Sequence, residues 1–256
     1  MITLKKPDEI VKMRKAGQVV ADVHKAIRET LKPGVDTLTL DIVAERVISR
    51  ESAKASFKGY RAPGARTPFP SAICVSVNEE VVHGIPSKDR LLRDGDIVSI
   101  DVGAIVEGYH GDAACTYPVG EITPERANLL AVTRRALYIG IEQALPGNTI
   151  GDIGYAIEKW VLGKGCGLVR DYAGHGIGRK LHEAPQVPNY GKPGSGVTIR
   201  PGLTFCIEPM VMSGAEAITN TDNGWTVVTC DGSDAAHFEH AILVTEDGAE
   251  ILTPWE

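Results

Sequence analysis

The sequence has no Cys-x-x-Cys pair and no long apolar run. Its five cysteines, at positions 74, 115, 166, 206 and 230, lie 24 to 51 residues apart. An odd and scattered set of this kind is typical of reduced thiols rather than of a disulfide framework. No stretch approaches the ~18 consecutive apolar residues of a membrane span, and no apolar segment follows the charges of residues 1–6, as a secretory signal would require. We therefore expect a cytoplasmic protein with no membrane partner.

The sequence also lacks an excess of positive charge. Its net charge of −6 creates no global field that would attract nucleic acid, so we expect no DNA partner. The charge is unevenly spread, because residues 1–66 carry 14 lysines and arginines against 8 acids, whereas residues 67–256 carry 13 against 25. Two interpretations stay open: a solvated basic face on the early helices, or weak association with the ribosome through ribosomal RNA.

A length of 256 residues with a hydrophobic content of 43% suits one large domain or two small ones. Helical periodicity and Pro-Gly breaks occur twice along the chain, in the same order. The helices are expected at residues 8–31, 38–50, 126–145 and 150–162, with breaks at Pro33-Gly34 and Pro146-Gly147.

The repetition continues into the strands. His83-Gly-Ile-Pro86 has a counterpart in His182-Glu-Ala-Pro185, and each is predicted to lie in a strand. A glycine-led strand that ends in a carboxylate follows in each half, at Asp101 and at Glu208. The shared order predicts a single catalytic domain with two pseudo-symmetric halves around one cleft, at about residues 8–120 and 121–245 of the domain 1–256.

Asp101 ends a buried-strand pattern that begins at Ile97, and a second strand is predicted at about residues 109–117. If the turn centres between Val106 and Glu107, Asp101 and Asp112 lie directly opposite each other, with Cβ atoms ~5 Å apart. Two carboxylates at that distance repel unless one is protonated or a cation lies between them. The alternative is that the strands splay and each aspartate caps a loop, but a pair in register favours a metal.

His175 lies in the glycine-rich segment 174–178, where the backbone can approach a ligand closely. His182 follows seven residues later, a spacing that does not fit the His-Glu-x-x-His zinc helix, so we expect the two histidines to have different roles. Glu208 and Glu239 adjoin apolar strands, where carboxylates are rarely left unpaired. The alternatives are a structural role for His175, an arginine partner for the glutamates, or solvent exposure of Glu239. Two neighbouring histidines are interpreted as structural: His237 and His240.

The strongest candidates are four carboxylates and one imidazole: Asp101, Asp112, His175, Glu208 and Glu239. Hard oxygen ligands with a single histidine and no thiolate suit Mn, Fe(II), Co or Zn in a binuclear hydrolase, rather than a structural zinc site. The sequence therefore predicts two divalent metal ions as cofactors.

Five motifs follow one another along nearly the whole chain: Asn78-Glu-Glu-Val-Val-His83-Gly-Ile-Pro86, Asp101-Val-Gly with Gly111-Asp112, Gly174-His175-Gly-Ile-Gly-Arg-Lys-Leu-His182-Glu, Cys206-Ile-Glu208-Pro and Phe238-Glu239-His. Together they resemble type I methionine aminopeptidase in its short bacterial form. The resemblance implies an α+β pita-bread fold, in which two pairs of helices cover a curved, mainly antiparallel β-sheet. It also implies an enzyme that removes the initiator methionine from nascent polypeptide N-termini when the second residue is small.

The resemblance assigns roles to the metal ligands as well. It implies that Asp112 and Glu239 bridge the two metals, that Asp101 completes one metal shell, and that His175 and Glu208 complete the other. The metals would lower the pKa of an attacking water, and Glu208 would manage its proton.

The two remaining histidines are implied to act on the substrate, His182 at the carbonyl oxygen of the methionine and His83 at the scissile amide nitrogen. The methionine side chain is implied to bind at Tyr60, Phe69, Cys74 and Trp225, an apolar slot that suits a thioether. The chain departs from the family pattern at two points near this slot: Leu181 stands in place of an aromatic residue, and the segment at residues 61–68 is long.

Three other interpretations compete with this one. A proline-specific peptidase of the same fold shares the five metal ligands, but those relatives usually have an additional N-terminal domain, whereas this catalytic pattern begins by residue 8. A non-catalytic binding protein would be expected to lose ligands, and a metal-stabilised structural protein has no need of His83 or His182. We therefore expect a peptidase that acts on nascent chains as a monomer.

Overall fold

The computed structural model of the chain describes residues 2–62 and 65–255. Pro63 and Gly64, in the predicted long segment 61–68, lie outside the described residues. Within the described ranges the chain forms four α-helices: α1 (Pro7–Thr30), α2 (Thr37–Arg50), α3 (Pro124–Glu142) and α4 (Ile150–Gly163). It also forms fifteen β-strands there: β1 (Lys54–Ala55), β2 (Ile73–Val77), β3 (Glu80–Val82), β4 (Ile97–Val106), β5 (Tyr109–Pro118), β6 (Gly167–Leu168), β7 (Gly174–Gly176), β8 (Glu183–Val187), β9 (Thr204–Ile207), β10 (Met210–Met212), β11 (Ile218–Asn220), β12 (Val227–Thr229), β13 (Ala235–His237), β14 (His240–Val244) and β15 (Ala249–Ile251).

The helix ends follow from local capping chemistry. The carboxylate of Asp36 accepts a hydrogen bond from the backbone N–H of Thr39 over 2.8 Å, which satisfies a donor that the first turn of α2 leaves without a partner. All four predicted helices are confirmed, with ends that differ by at most one residue in α1, α2 and α4, while α3 begins two residues earlier than predicted. Helix α3 ends at Glu142 rather than at residue 145, because the N–H of Ala144 closes a tighter turn onto the carbonyl of Ile141 over 3.0 Å.

Every strand pairing between the strands named above is antiparallel. Strand β4 lies at the centre of a four-stranded sheet, with β5 along one edge and both β2 and β1 along the other. A five-stranded sheet has the order β15-β14-β9-β7-β8. Two smaller sheets have the orders β13-β10-β6 and β11-β12-β3.

A large cluster of buried apolar side chains joins the helices to the two larger sheets. It includes Val20 of α1, Ile100 of β4, Leu137 of α3, Ile157 of α4 and Phe205 of β9, each with no exposed surface. Removal of this apolar surface from water is the main force that holds the layers together. The cluster spans both stretches in which the sequence repeats its pattern, and their boundaries remain a prediction.

Helix α1 and strand β5 approach each other at two glycines. A Cβ atom on Gly111 would lie 2.7 Å from the backbone nitrogen of Gly17, which is closer than packed atoms allow. Neither residue is in a turn, since Gly17 lies inside α1 and Gly111 inside β5. The absence of a side chain at Gly111 therefore lets the helix lie directly behind the strand that carries Asp112, whereas a Cβ atom on Gly17 would meet the backbone of Leu252.

The turn between β4 and β5 is a two-residue loop at Glu107 and Gly108, whose φ angles are +50° and +81°. Positive φ at both positions is the geometry of a type I′ turn, which matches the twist of the two strands. The turn therefore centres one residue later than predicted, and Asp112 lies opposite Gly103. The prediction that Asp101 lies directly opposite Asp112 is wrong, but the two aspartates remain diagonal neighbours on one face of the sheet.

No helix among the described residues is long and apolar enough to cross a membrane.

His24 of α1 ties the helix to β5. Its Nε2–H donates to the backbone carbonyl of Ala113 over 3.1 Å, so its Nδ1 accepts the hydroxyl proton of Tyr117 over 3.0 Å. The side chain is completely buried, and burial lowers the pKa of His24 to about 4. The imidazole is therefore neutral in the folded protein at neutral pH.

We expect His24 to make the free energy of unfolding fall as the pH drops from 6.5 toward 4. The folded-state pKa of about 4 lies below the reference value of 6.5, so the unfolded chain takes up the proton first. The free energy of unfolding of the metal-free protein can be measured with denaturant at pH 7 and at pH 4.5. Between these two pH values it should fall by ~2 kcal/mol more in the wild type than in His24→Gln, whose amide keeps a donor but does not titrate. Equal losses in the two proteins would contradict this account of His24.

Candidate metal centre and active site

The five predicted ligands come from both larger sheets and from the loop before β14. Asp101 lies in β4, Asp112 in β5 and His175 in β7. Glu208 directly follows β9, and Glu239 lies between β13 and β14. All five line one cavity of about 420 Å³. The fold thus brings together residues that are as much as 138 positions apart in the sequence.

His175 presents its Nε2 atom to two of the carboxylates. Its Nδ1–H donates to the backbone carbonyl of Gly176 over 3.1 Å, so Nε2 carries the lone pair of the neutral ring. Nε2 lies 3.6 Å from Oε1 of Glu208 and 3.7 Å from Oδ2 of Asp112. A lone pair that faces two carboxylates suits a cation held between them.

Burial makes ionisation of the carboxyls costly. It raises the pKa of Asp101 to about 7 and the pKa of Glu208 to about 8. Burial and the charges of neighbouring carboxylates together raise the pKa of Asp112 and of Glu239 well above the usual range. Burial also lowers the pKa of His175 to about 3. Without a cation, the cluster therefore holds protons that it must release to bind one.

Three carboxylate oxygens of the cluster are fully buried and have no hydrogen-bond partner among the described residues: Asp101 Oδ1, Asp112 Oδ1 and Glu239 Oε1. Buried oxygens are rarely left unsatisfied, since each costs ~1–3 kcal/mol. Several hard oxygen donors with one imidazole nitrogen are the ligand set that divalent ions such as Mn²⁺, Fe²⁺, Co²⁺ or Zn²⁺ accept. The residues of the cluster therefore fit a divalent metal centre.

Cys206 of β9 also lies beside the cluster. One ligand atom from each of Asp112, His175, Cys206 and Glu239 lies within 4.8 Å of the others. Burial, and then the charge of Glu239, raise the pKa of the Cys206 thiol well above its usual range. The thiolate is the form of cysteine that binds metals. Because this environment keeps the thiol protonated, it favours the carboxylate oxygens and the imidazole nitrogen over the sulfur as metal ligands.

The opposite wall of the cavity is apolar. Five buried side chains form it, with the ring of Tyr60 packed against them: Phe57, Phe69, Cys74, Leu181 and Trp225. The rings of Phe69 and Trp225 meet edge to face with centroids 5.2 Å apart. The indole N–H of Trp225 donates to the backbone carbonyl of Thr67 over 3.2 Å, which orients the ring. This slot suits an uncharged and flexible side chain.

His83 and His182 line the same cavity, but neither lies in a strand. His83 directly follows β3 and has a φ of +59°, a conformation that is costly for a residue with a side chain. His182 directly precedes β8. The prediction that both histidines lie in equivalent strands is therefore wrong, because β3 ends in a left-handed turn and β8 begins one residue late.

Each of these histidines is held by aromatic neighbours. The Nδ1 atom of His182 lies 2.8 Å from the hydroxyl of Tyr60. The ring of His83 lies edge-on to Tyr172 and to Trp225, with centroids 5.4 Å and 6.4 Å away. Both imidazoles are thereby fixed in orientation within the cavity.

Three residues at the site were not selected from the sequence. Phe57 is part of the apolar wall, Tyr172 contacts His83, and Nε2 of His237 lies 3.7 Å from Oε2 of Glu208. The sequence did contain a signal for Phe57 and Tyr172, since aromatic residues make up only 5% of the chain. Each of the two also lies three positions from a selected residue, Tyr60 or His175. His237 was interpreted as structural.

Residues 11–246 match the model of metallopeptidase family M24. The chain belongs to this metallopeptidase family. Membership implies the use of divalent metal, which agrees with the ligand set of the cluster. The cavity that Asp101, Asp112, His175, Glu208 and Glu239 line is therefore the candidate active site of this M24 peptidase.

Curated M24 relatives of the chain are methionine aminopeptidases. Methionine aminopeptidase 1 of Bacillus subtilis is 49% identical over 253 residues, which cover 99% of each chain. The enzyme of Escherichia coli is 43% identical over 253 residues, 98% of this chain and 94% of the relative. The crystal structure of methionine aminopeptidase from Thermotoga maritima superposes with a TM-score of 0.95 at 48% identity, over 99% of both chains. The resemblance stated from the motifs is confirmed.

A more distant structure has the same fold. Prolidase from Pyrococcus furiosus superposes with a TM-score of 0.76 at 22% identity, over 99% of this chain and 66% of that one. This match shows the fold alone. Together with the aminopeptidase structure, it confirms the predicted α+β pita-bread fold.

We expect divalent metal to stabilise the folded protein. Free Mn²⁺ at about 100 times its dissociation constant should add ~2.7 kcal/mol to the free energy of unfolding, because the unfolded chain has no assembled site. At one fixed Mn²⁺ concentration the gain should be larger at pH 8 than at pH 6, because the carboxyls with raised pKa values must lose protons before they bind metal, which weakens binding at the lower pH. Thermal unfolding with and without Mn²⁺ at both pH values measures the gain.

Two variants serve as controls for this measurement. Asp112→Asn should abolish the gain, whereas Cys206→Ala should keep it. A gain that is lost in Cys206→Ala as completely as in Asp112→Asn would make the thiol a ligand.

Proposed function

We propose that this chain removes the N-terminal methionine from nascent polypeptides whose second residue is small, by metal-assisted hydrolysis of the first peptide bond. One observation carries the proposal: a single cavity of about 420 Å³ joins the carboxylate–imidazole cluster to an apolar slot. Such a cavity can hold an apolar side chain in the slot while the adjacent amide lies at the metal centre. Relatives named methionine aminopeptidase, at 43% and 49% identity over nearly the full chain, support the same activity.

Two divalent ions are proposed for the cluster, drawn from Mn, Fe(II), Co and Zn. Asp101, Asp112, His175, Glu208 and Glu239 would hold them. When bound, the ions would supply an activated water and polarise the methionyl carbonyl.

Glu208 is proposed to accept the proton of the attacking water and to return it to the leaving amine. Its carboxylate lines the cavity, and the amide of Asn189 donates to its backbone carbonyl over 3.0 Å, which holds the residue in place. A carboxylate has four acceptor positions, so Glu208 can bind an ion and still accept a proton.

His182 is proposed to donate from Nε2–H to the methionyl carbonyl oxygen. Burial raises the pKa of Tyr60 and lowers the pKa of His182, so the hydroxyl keeps its proton and the ring is neutral. With the Tyr60 hydroxyl donating to Nδ1, the ring proton lies on Nε2, where it can stabilise charge that develops on the oxygen. His83, held between Tyr172 and Trp225, is proposed to contact the amide nitrogen.

The apolar slot is proposed to hold the methionine side chain, through the residues named from the sequence together with Phe57: Tyr60, Phe69, Cys74, Leu181 and Trp225. A thioether adapts to irregular apolar space and makes favourable contacts with ring edges. The second residue of the substrate would lie beside the ions, and the proposal therefore restricts it to a small side chain.

The proposed setting is the cytoplasm, where the chain would act as a monomer on nascent chains. Any association with the ribosome through the basic early residues is proposed to be weak. On α1, Arg14 is paired with Glu250 and Lys15 with Glu107, each over 2.7 Å. These acids neutralise part of the basic face, in line with the interpretation of a solvated helix surface.

The substrate proposal predicts strong selectivity at the first two positions. We expect kcat/KM for Met-Ala-Ser to exceed that for Met-Leu-Ser by roughly 100-fold, because the larger side chain cannot be accommodated beside the metals. Gly-Pro should not be hydrolysed detectably. Similar kcat/KM values for the two methionyl peptides would refute the size limit, and hydrolysis of Gly-Pro alone would favour a proline-specific peptidase.

The different roles proposed for the histidines predict different effects of substitution on kcat and on metal content. His182→Ala and His83→Ala should each lose ~10²–10³-fold in kcat while keeping two bound metals, because each removes a contact to the reacting amide. His175→Ala should instead lose metal. Tyr60→Phe should lower kcat with metal content and KM little changed. Steady-state kinetics and elemental analysis of the same samples test all four, and loss of metal from His182→Ala would overturn the assignment.

A further inference from the structure

We propose that His237 is a positioning residue of the metal centre, which donates a hydrogen bond from Nε2–H to Oε2 of Glu208 and thereby orients that carboxylate. The proposal rests on the proposed metal-dependent function and extends it to a residue outside the five ligands. It is carried by the geometry around Glu208.

The Glu208 carboxylate lies between two imidazoles. Nε2 of His175 lies 3.6 Å from its Oε1, and Nε2 of His237 lies 3.7 Å from its Oε2. His237 is 2% exposed, and its Nε2 is fully buried with no hydrogen-bond partner in the part of the chain that the structure describes. A buried polar nitrogen without a partner is rare, so a nearby acceptor is expected to use it.

The backbone of His237 is fixed to the strands that carry the aspartates. The hydroxyl of Thr116 accepts from the N–H of His237 over 2.8 Å and donates to its carbonyl over 2.9 Å. Ser99 is the cross-strand partner of Thr116 in the β4–β5 pair, and its hydroxyl oxygen lies 2.8 Å from the hydroxyl oxygen of Thr116. The imidazole is therefore held at a defined place relative to Asp101 and Asp112, which lie on the same two strands.

The distances favour a donor rather than a sixth ligand. Nε2 of His175 lies within 3.7 Å of oxygens of both Asp112 and Glu208, whereas Nε2 of His237 lies that close only to Glu208 among the carboxylates of the described residues. The separation of 3.7 Å between Nε2 and Oε2 is longer than a hydrogen bond, but a shift of less than ~1 Å would close it. Oε2 would keep its second lone pair, so this bond is compatible with the proton-accepting role of Glu208. Ligating carboxylates are commonly held by such partners, whose loss weakens metal binding.

The test compares three substitutions by calorimetric titration of Mn²⁺ into metal-free protein. His237→Leu should bind Mn²⁺ ~10–100-fold more weakly than the wild type. His237→Gln should stay close to the wild type, because its amide can reach the position of Nε2. His237→Asn has the same amide on a shorter side chain and should resemble the leucine variant. His240, which stacks on Trp255 with centroids 4.6 Å apart, provides the matched control, and His240→Gln should leave the Mn²⁺ affinity unchanged.

Each outcome decides the proposal. Unchanged affinity in His237→Leu would overturn it, and so would equal affinities of the Gln and Asn variants if the leucine variant failed to fold. Two results would make His237 a ligand and would also overturn the positioning role. One is a drop from two bound ions to one in a His237 variant, and the other is a change in the absorption bands of cobalt-loaded His237→Gln relative to the cobalt-loaded wild type. Failure of the proposed function is separately visible, since a wild type that binds two ions but does not cleave Met-Ala-Ser would refute the activity while the titrations still report on His237.

Discussion

The arrangement of the candidate active site depends on one constraint: four carboxylates, two of them buried and two half-buried, lie close together around His175, and burial disfavours charge on all four without a cation. Two like charges 4 Å apart interact with ~4 kcal/mol at an effective dielectric constant of 20, so the metal-free cluster retains protons instead. The hairpin of β4 and β5 and the ends of β9 and β13 each deliver part of this cluster. The apolar slot and the two remaining histidines then lie around the same point, so their function depends on whether the ions are bound.

The sequence predicted the helices and the candidate ligands well, because both leave local patterns. Apolar periodicity with Pro-Gly breaks located α1 to α4, and carboxylates beside apolar strands are conspicuous since burial of an unpaired charge is so unfavourable. The register of β4 against β5 was missed by two residues. A turn centred at Glu107 and Gly108 requires positive φ at both positions, and the glycine was the local signal for it.

Other parts of the site could not be predicted, because they depend on contacts between distant segments. The hydroxyl of Tyr60 meets His182 across 122 positions of the chain, and Phe57 joins the slot only when β1 pairs with β4. The positive φ of His83 follows a strand whose sequence gives no sign of its end. His237 is a further case, since two histidines flank Glu239 and nothing in the sequence indicates which one faces Glu208.

The spacing of the ligands has a consequence for how the protein acquires its metal. No two of the five proposed ligands are closer than 11 positions in the chain, and they extend from Asp101 to Glu239. A short peptide segment therefore cannot chelate an ion, unlike the local cysteine and histidine pairs that fold a zinc finger around its metal. With this proposed ligand set, all five residues could hold an ion together only after β4, β5, β7, β9 and the segment before β14 have come together. Metal loading would then be a property of the folded chain, in which the site is assembled before the ion binds.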